Sequence, residues 1–275
     1  MKLLSTPYKI GLICVAVLLL LVLFPTVFDA RSSIYDYSKW SADSFGLIFG
    51  YVALIIGLGL LPISGGDLRR GLSWFAVGMF VMGSAMFFGP VINHYKLVDP
   101  DLVEGIHGIF MFGGMIGYLL ANYWFIKIVE PTASARRSMT YAIIAFALFV
   151  MFFYPTMAVH RTTGNTIKYW FELMSFGISG TMLAMTVHAY GSIGRGYKKA
   201  MNMLLLSTVI FAASYPFGPV GQPNRFWTGA QGGTVHHGLM AVGIISFLIT
   251  ALYLRGLDIY SEKSAQVYTP RTSSL

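Results

Sequence analysis

Long apolar stretches separated by short polar ones set the pattern of this chain. Hydrophobic runs occupy Ile10 to Phe28, Phe45 to Ile63, Leu72 to Ile92, Leu102 to Ile126, Met139 to Met157, Tyr169 to Tyr190, Ala200 to Val220 and Thr234 to Leu254. Each is close to the roughly 20 residues that a helix needs to cross a hydrocarbon layer. The pattern therefore predicts an all-α integral membrane protein with eight transmembrane helices. The first run follows a short basic segment, as a cleaved signal peptide would, and is expected to be a retained first helix. From Asp258 to Leu275 the chain turns polar and is expected to form a tail.

Composition agrees with this pattern, at 56% hydrophobic and 11% charged residues, and excludes a soluble domain. A formal charge of +8 would point to nucleic acid in a soluble chain. Here the cations lie in short loops between apolar runs, where they set topology, so no nucleic-acid partner is expected. Counted on alternate sides, Lys and Arg concentrate at the side that holds Lys2, Arg69, Arg70, Lys127, Arg136, Arg137, Arg195, Lys198, Lys199 and Arg255. That side should be cytoplasmic and hold both termini. The expected location is the cell (inner) membrane, with multiple crossings. The single Cys14 stands inside the first run, so no intrachain disulfide can form.

Several function classes lose their ground on absences. No Asp, Glu, Lys or Arg stands near the middle of a run, whereas ion-coupled transporters and proton pumps place ionisable groups there. There is no His-Glu-x-x-His, Gly-x-Ser-x-Gly, phosphate loop or Cys-x-x-Cys, which leaves metalloprotease, serine hydrolase and nucleotide-driven pump unsupported.

The halves repeat one another. Phe24-Pro25-Thr26 with Arg31-Ser32-Ser33 returns as Tyr154-Pro155-Thr156 with Arg161-Thr162-Thr163. Ser44-Phe45-Gly46 returns as Ser175-Phe176-Gly177, and Phe88-Gly89-Pro90-Val91 as Phe217-Gly218-Pro219-Val220. The order predicts a duplicated four-helix unit: residues 1–130 as the first membrane repeat, 131–257 as the second, and 258–275 as a polar cytoplasmic tail. Four crossings bring each copy in with the same sense, so the repeats are parallel and their axis runs along the membrane normal.

Candidate chemistry lies on the fourth and eighth runs. The fourth contains V-E-G-I-H-G-I-F-M-F-G-G and the eighth T-V-H-H-G-L-M-A-V-G. His107 with Met111, like His236 with Met240, is four residues apart and so on one helix face. With the predicted topology these histidines, His237, His94 and His160 fall on the outer side. Imidazole and thioether are ligand types for copper, and imidazole for haem. Two arrangements follow. In one, His107 and His236 or His237 hold a haem b between the two helices, with Arg31 and Arg161 as partners for its carboxylates. In the other, the His/Met pairs bind copper directly, with His94, His160 and Glu104 as possible additional ligands. Glu104 with His107 also has the Glu-x-x-His spacing of di-metal bundles, although Gly233 stands where a second glutamate would be. The structural alternative is that the histidines fill the headgroup region and the methionines pack the core. Gly105, Gly108, Gly113, Gly114 and Gly117 predict close helix packing around the fourth run.

On His107-Gly108 through Gly114, His236 through Gly243 and the helix count, the halves loosely resemble the four-helix haem-binding units of cytochrome b561 and of haem A synthase. The latter is also a duplicated eight-helix protein. The resemblance implies a bis-histidine haem. Those families draw ligands from several helices, whereas the second and third runs here contain no histidine. The function expected is a membrane redox subunit that carries electrons or supports an oxidative enzyme, with the lipid bilayer, other membrane subunits and a quinol as partners. A non-catalytic accessory subunit and a copper carrier are the alternatives.

Overall fold

In the computed structural model the described residues are 50–86, 98–130, 140, 163–191, 195–217 and 229–268. The expected first span and, apart from Thr140, the fifth, with His94, His160, Arg31 and Arg161, lie outside them. Every regular element among the described residues is helical: α1 (Gly50–Ile63), α2 (Gly66–Met86), α3 (Pro100–Val129), α4 (Thr163–Tyr190), α5 (Lys198–Ser214) and α6 (Gly229–Tyr268). In the order of the hydrophobic runs these are the second, third, fourth, sixth, seventh and eighth. Among the described residues, two segments are long and apolar enough to cross a membrane by length and composition, Asp101–Val129 and Val235–Leu257.

Local chemistry explains where the helices begin and end. α1 closes in a 3-10 turn at Leu61–Ile63, and the chain turns into α2 through Gly66, whose φ of +49° is a left-handed conformation that suits glycine. α3 starts with Pro100 in its first turn, where the missing N–H costs nothing, and the Asp99 carboxylate caps it by accepting from the Asp101 amide at 2.8 Å. It stops at Val129, because Glu130 precedes Pro131 and is pushed out of the helical region.

Two ends depart from the hydrophobic pattern. α5 ends at Ser214 instead of near Val220, because Pro216 has no N–H with which to continue the helical ladder. α6 starts ahead of Thr234 and runs on to Tyr268, so the first part of the expected polar tail is helix. No proline follows until Pro270, and the Ser-Glu-Lys-Ser-Ala-Gln stretch accepts a helix that is already formed.

Close backbone approach holds α2 on α3. A Cβ on Gly117 would lie 2.5 Å from the Gly78 Cα, and one on Gly78 would lie 3.0 Å from the Gly114 carbonyl. The glycine-rich stripe is therefore used inside the chain, as small residues are wherever membrane helices touch. α4 lies against the other side of α3, and α5 packs on α6. The centre is aromatic: Phe247 of α6 stacks on Phe75 of α2 at 5.5 Å and meets Tyr118 of α3 edge-on at 5.4 Å, while Tyr118 also touches Phe211 of α5 at 5.2 Å. Tyr118 and Phe247 are 129 residues apart, the same separation as His107 and His236, and their rings meet across the core. Large apolar side chains remain exposed around the outside, among them Phe80, Ile109, Val209 and Val242.

Candidate histidine site at the helix ends

The two histidine helices make the same bond. His107 Nδ1 lies 2.9 Å from the Ala85 carbonyl, and His236 Nδ1 lies 2.9 Å from the Ser214 carbonyl, each 22 residues upstream. Both carbonyls belong to the closing turn of the helix before, in α2 and α5. A carbonyl only accepts, so Nδ1 carries the hydrogen and donates it. In a neutral ring this leaves the Nε2 lone pair pointing away from the anchor. Both imidazoles are buried, and His236 Nε2 has no hydrogen-bond partner among the described residues.

Two more contacts recur at the same 129-residue offset. A Cβ on Gly114 would meet the Met82 Cβ at 3.0 Å, and one on Gly243 would meet the Phe211 ring at 3.0 Å. A Cβ on Gly78 would crowd the Gly114 carbonyl at 3.0 Å, while Ser207 Oγ donates to the Gly243 carbonyl at 2.7 Å.

Around this shared frame the surroundings differ. His236 has the ring of Tyr215 edge-on at 5.2 Å and the ring of His237, tilted, at 5.2 Å. His107 has Gly108 in the place of His237, and there the α4 backbone crosses: a Cβ on Gly108 would lie 2.6 Å from the Lys168 Cα. Lys168 Nζ pairs with Glu104 at 2.5 Å. Lys168 lies just ahead of the sixth hydrophobic run. Burial would lower the pKa of its ammonium, but the carboxylates of Glu172 and Glu104 outweigh it and raise the pKa, so the group stays charged.

The expected site residues are thus partly assembled. His107, His236 and His237 lie at one end of the bundle, with Met111 and Met240 fully buried one turn deeper in the core. Glu104, expected as a possible ligand, forms an ion pair with Lys168. Among the described residues no group of three or more His, Cys, Asp and Glu side chains is placed to hold a metal ion. A centre here would draw on two imidazoles, completed by a porphyrin or by thioethers. A groove of about 380 Å³ runs along α3 past Leu102, Ile106, Ile109 and Ile167, and neither histidine lines it.

Sequence reasoning missed Lys168 and the two carbonyls. The carbonyls leave no mark, since Ala85 and Ser214 share no side-chain chemistry, although their equal distance from the histidines could have been noticed. Comparison with protein-family models, with curated proteins and with solved structures finds no match.

Proposed function

We propose that this chain is an eight-helix membrane protein, built as a parallel duplication, that carries electrons through a haem b or a copper ion held between His107 and His236 near the outer membrane surface. The observation that carries the reading is the paired Nδ1–H to carbonyl bond. Ligating histidines almost always donate their second ring nitrogen to a carbonyl or carboxylate, which fixes the tautomer and aims the other nitrogen at the metal. Here both rings are fixed in that way, at positions related by the repeat.

Other features support the same reading. Exposed apolar side chains such as Phe80 and Val242 suit a lipid surround better than water. The recurring contacts at one offset support the duplication, and the meeting of Tyr118 with Phe247 supports α3 and α6 as the central helices. Met111 and Met240 would line the inner wall of the site. A haem or copper would supply a one-electron couple, and the chain would anchor it and shield it from water. The glycine faces that an accessory subunit could offer to partners are engaged within this chain at Gly78, Gly108, Gly114 and Gly117, which weakens that alternative.

Visible absorption of the purified protein tests the proposal. A reduced-minus-oxidised Soret and α-band change supports haem, and copper by elemental analysis supports direct ligation. Replacing both His107 and His236 by Ala should abolish whichever signal is found. Unchanged cofactor content in that double variant would remove the site assignment, and neither signal in the wild type would leave a protein without a redox centre.

A further inference from the structure

Away from the histidines, at the other end of the α2–α3 pair, positive charge gathers around one indole ring. A Cβ on Gly71 would lie 2.5 Å from the Phe125 ring and 3.3 Å from the Trp124 Cβ, so its missing side chain lets the first turns of α2 rest on the last turns of α3. The contact brings the Arg70 guanidinium of α2 to 4.9 Å and the Lys127 ammonium of α3 to 4.8 Å from the centre of the Trp124 ring. Each is attracted to the electron-rich ring, and because both lie within 5 Å of one point they are less than 10 Å apart. Arg70 gives one N–H to Asp67 at 3.2 Å with its side chain 62% exposed, which leaves most of its donors for another acceptor. Among the described residues neither Lys127 nor the exposed Arg69 has a carboxylate at ion-pair distance, and Glu130, three positions past Lys127, pairs with neither. From this cationic end an apolar strip runs along α2, where Trp74, Val77 and Phe80 follow Arg70 at helical spacing and are all exposed.

Resting on the reading of the chain as membrane-embedded, and not on the redox centre, we propose that this end of α2 and α3 holds one acidic phospholipid. Its phosphodiester lies between Arg70 and Lys127, and an acyl chain lies along Trp74, Val77 and Phe80. Two like charges this close repel one another, and an anion between them turns repulsion into attraction. The planar guanidinium can offer two N–H donors to two phosphate oxygens, while the ammonium acts as a point charge. Indole rings and cations at the end of an apolar span stand at headgroup depth, and Lys127 is in the last turn of α3, where the apolar segment Asp101–Val129 ends. A soluble phosphate would engage the cations and nothing of the strip, whereas a lipid engages both.

The test is native mass spectrometry of the full-length protein purified in detergent and offered equal amounts of phosphatidylglycerol and phosphatidylcholine with identical acyl chains. The wild type should retain one phosphatidylglycerol in preference. Arg70→Gln and Lys127→Gln should each weaken that retention by about fivefold, the size of one cation at a membrane surface, and the double variant should lose the preference. Lys199→Gln, which removes an exposed cation at the start of α5, should change nothing. An unchanged preference in the double variant, or an equal loss in Lys199→Gln, overturns the site. If inorganic phosphate at the same concentration displaces the lipid, the site is one for soluble phosphate and the lipid assignment falls. Should the double variant fail to fold, Lys127→Gln carries the test, and full retention there overturns the inference. Wild-type protein that stays in solution without detergent sinks the membrane reading itself, whereas protein that needs detergent yet shows no preference sinks the site alone.

Discussion

His107 and His236 each donate to a carbonyl 22 residues upstream, at the same 2.9 Å, and yet each stands in different company. Around His107 the neighbours are charged, Lys168 and Glu104 across the α3–α4 contact. Around His236 they are aromatic, Tyr215 and His237. What the two histidines share is the anchoring of the ring. What differs is the surface each ring presents to anything bound between them, so a centre held there would meet charge on one side and aromatic rings on the other.

The sharpest way to break the comparison is to remove one anchored ring at a time. If a haem or copper is held between His107 and His236 as proposed, His107→Ala and His236→Ala should each lose nearly all of it, measured as haem or copper per protein, because a centre held by two imidazoles does not survive on one. If either single variant keeps its full content, the two histidines are not equivalent and only the remaining one is a ligand.

Next in size is the packing that holds the frame. Gly117→Ala places a methyl 2.5 Å from the Gly78 Cα, where only backbone can give way. It should destabilise the protein by about 1–3 kcal/mol, the range for overpacking, seen as a lower midpoint of thermal unfolding in detergent. Gly243→Ala meets only the Phe211 ring, at 3.0 Å, and should cost less. Equal losses would mean that both helix pairs yield alike.

A smaller effect separates the halves at the Ser207 bond to the Gly243 carbonyl. Ser207→Ala should cost about 0.6 kcal/mol, the average for hydrogen bonds between membrane helices, and leave cofactor content unchanged. The smallest change is expected from His237→Ala. The ring anchored on Ser214 is that of His236, so the centre should persist with at most a slight displacement of its absorption maximum. Loss of the centre in that variant would make His237 the ligand in place of His236.

Much of this architecture could be read along the chain, because long apolar runs bounded by polar residues mark out its helices. The start of α3 at Pro100 and its end before Pro131 follow from proline chemistry alone, as does the early end of α5 before Pro216. The shared face of His107 and Met111 follows from helical spacing. Harder to see was the Lys168–Glu104 pair, which joins residues 64 apart through a crossing that only the missing side chain of Gly108 permits. The carbonyl partners were hidden for a different reason. A main-chain oxygen is present at every residue, so neither Ala85 nor Ser214 advertises its role.

α6 counts 40 residues, about 60 Å at 1.5 Å per residue, against a hydrocarbon layer of about 30 Å. α6 is therefore about twice as long as such a layer is thick, and the stretch from Asp258 to Tyr268 continues it as a stalk past its apolar segment Val235–Leu257. An isolated helix of that size would fray in water, but this one grows from a rod already wound inside the bundle and so escapes the initiation penalty. The stalk's order is consequently a gauge of the rod beneath it: loosening the buried part of α6 should unravel its tip first.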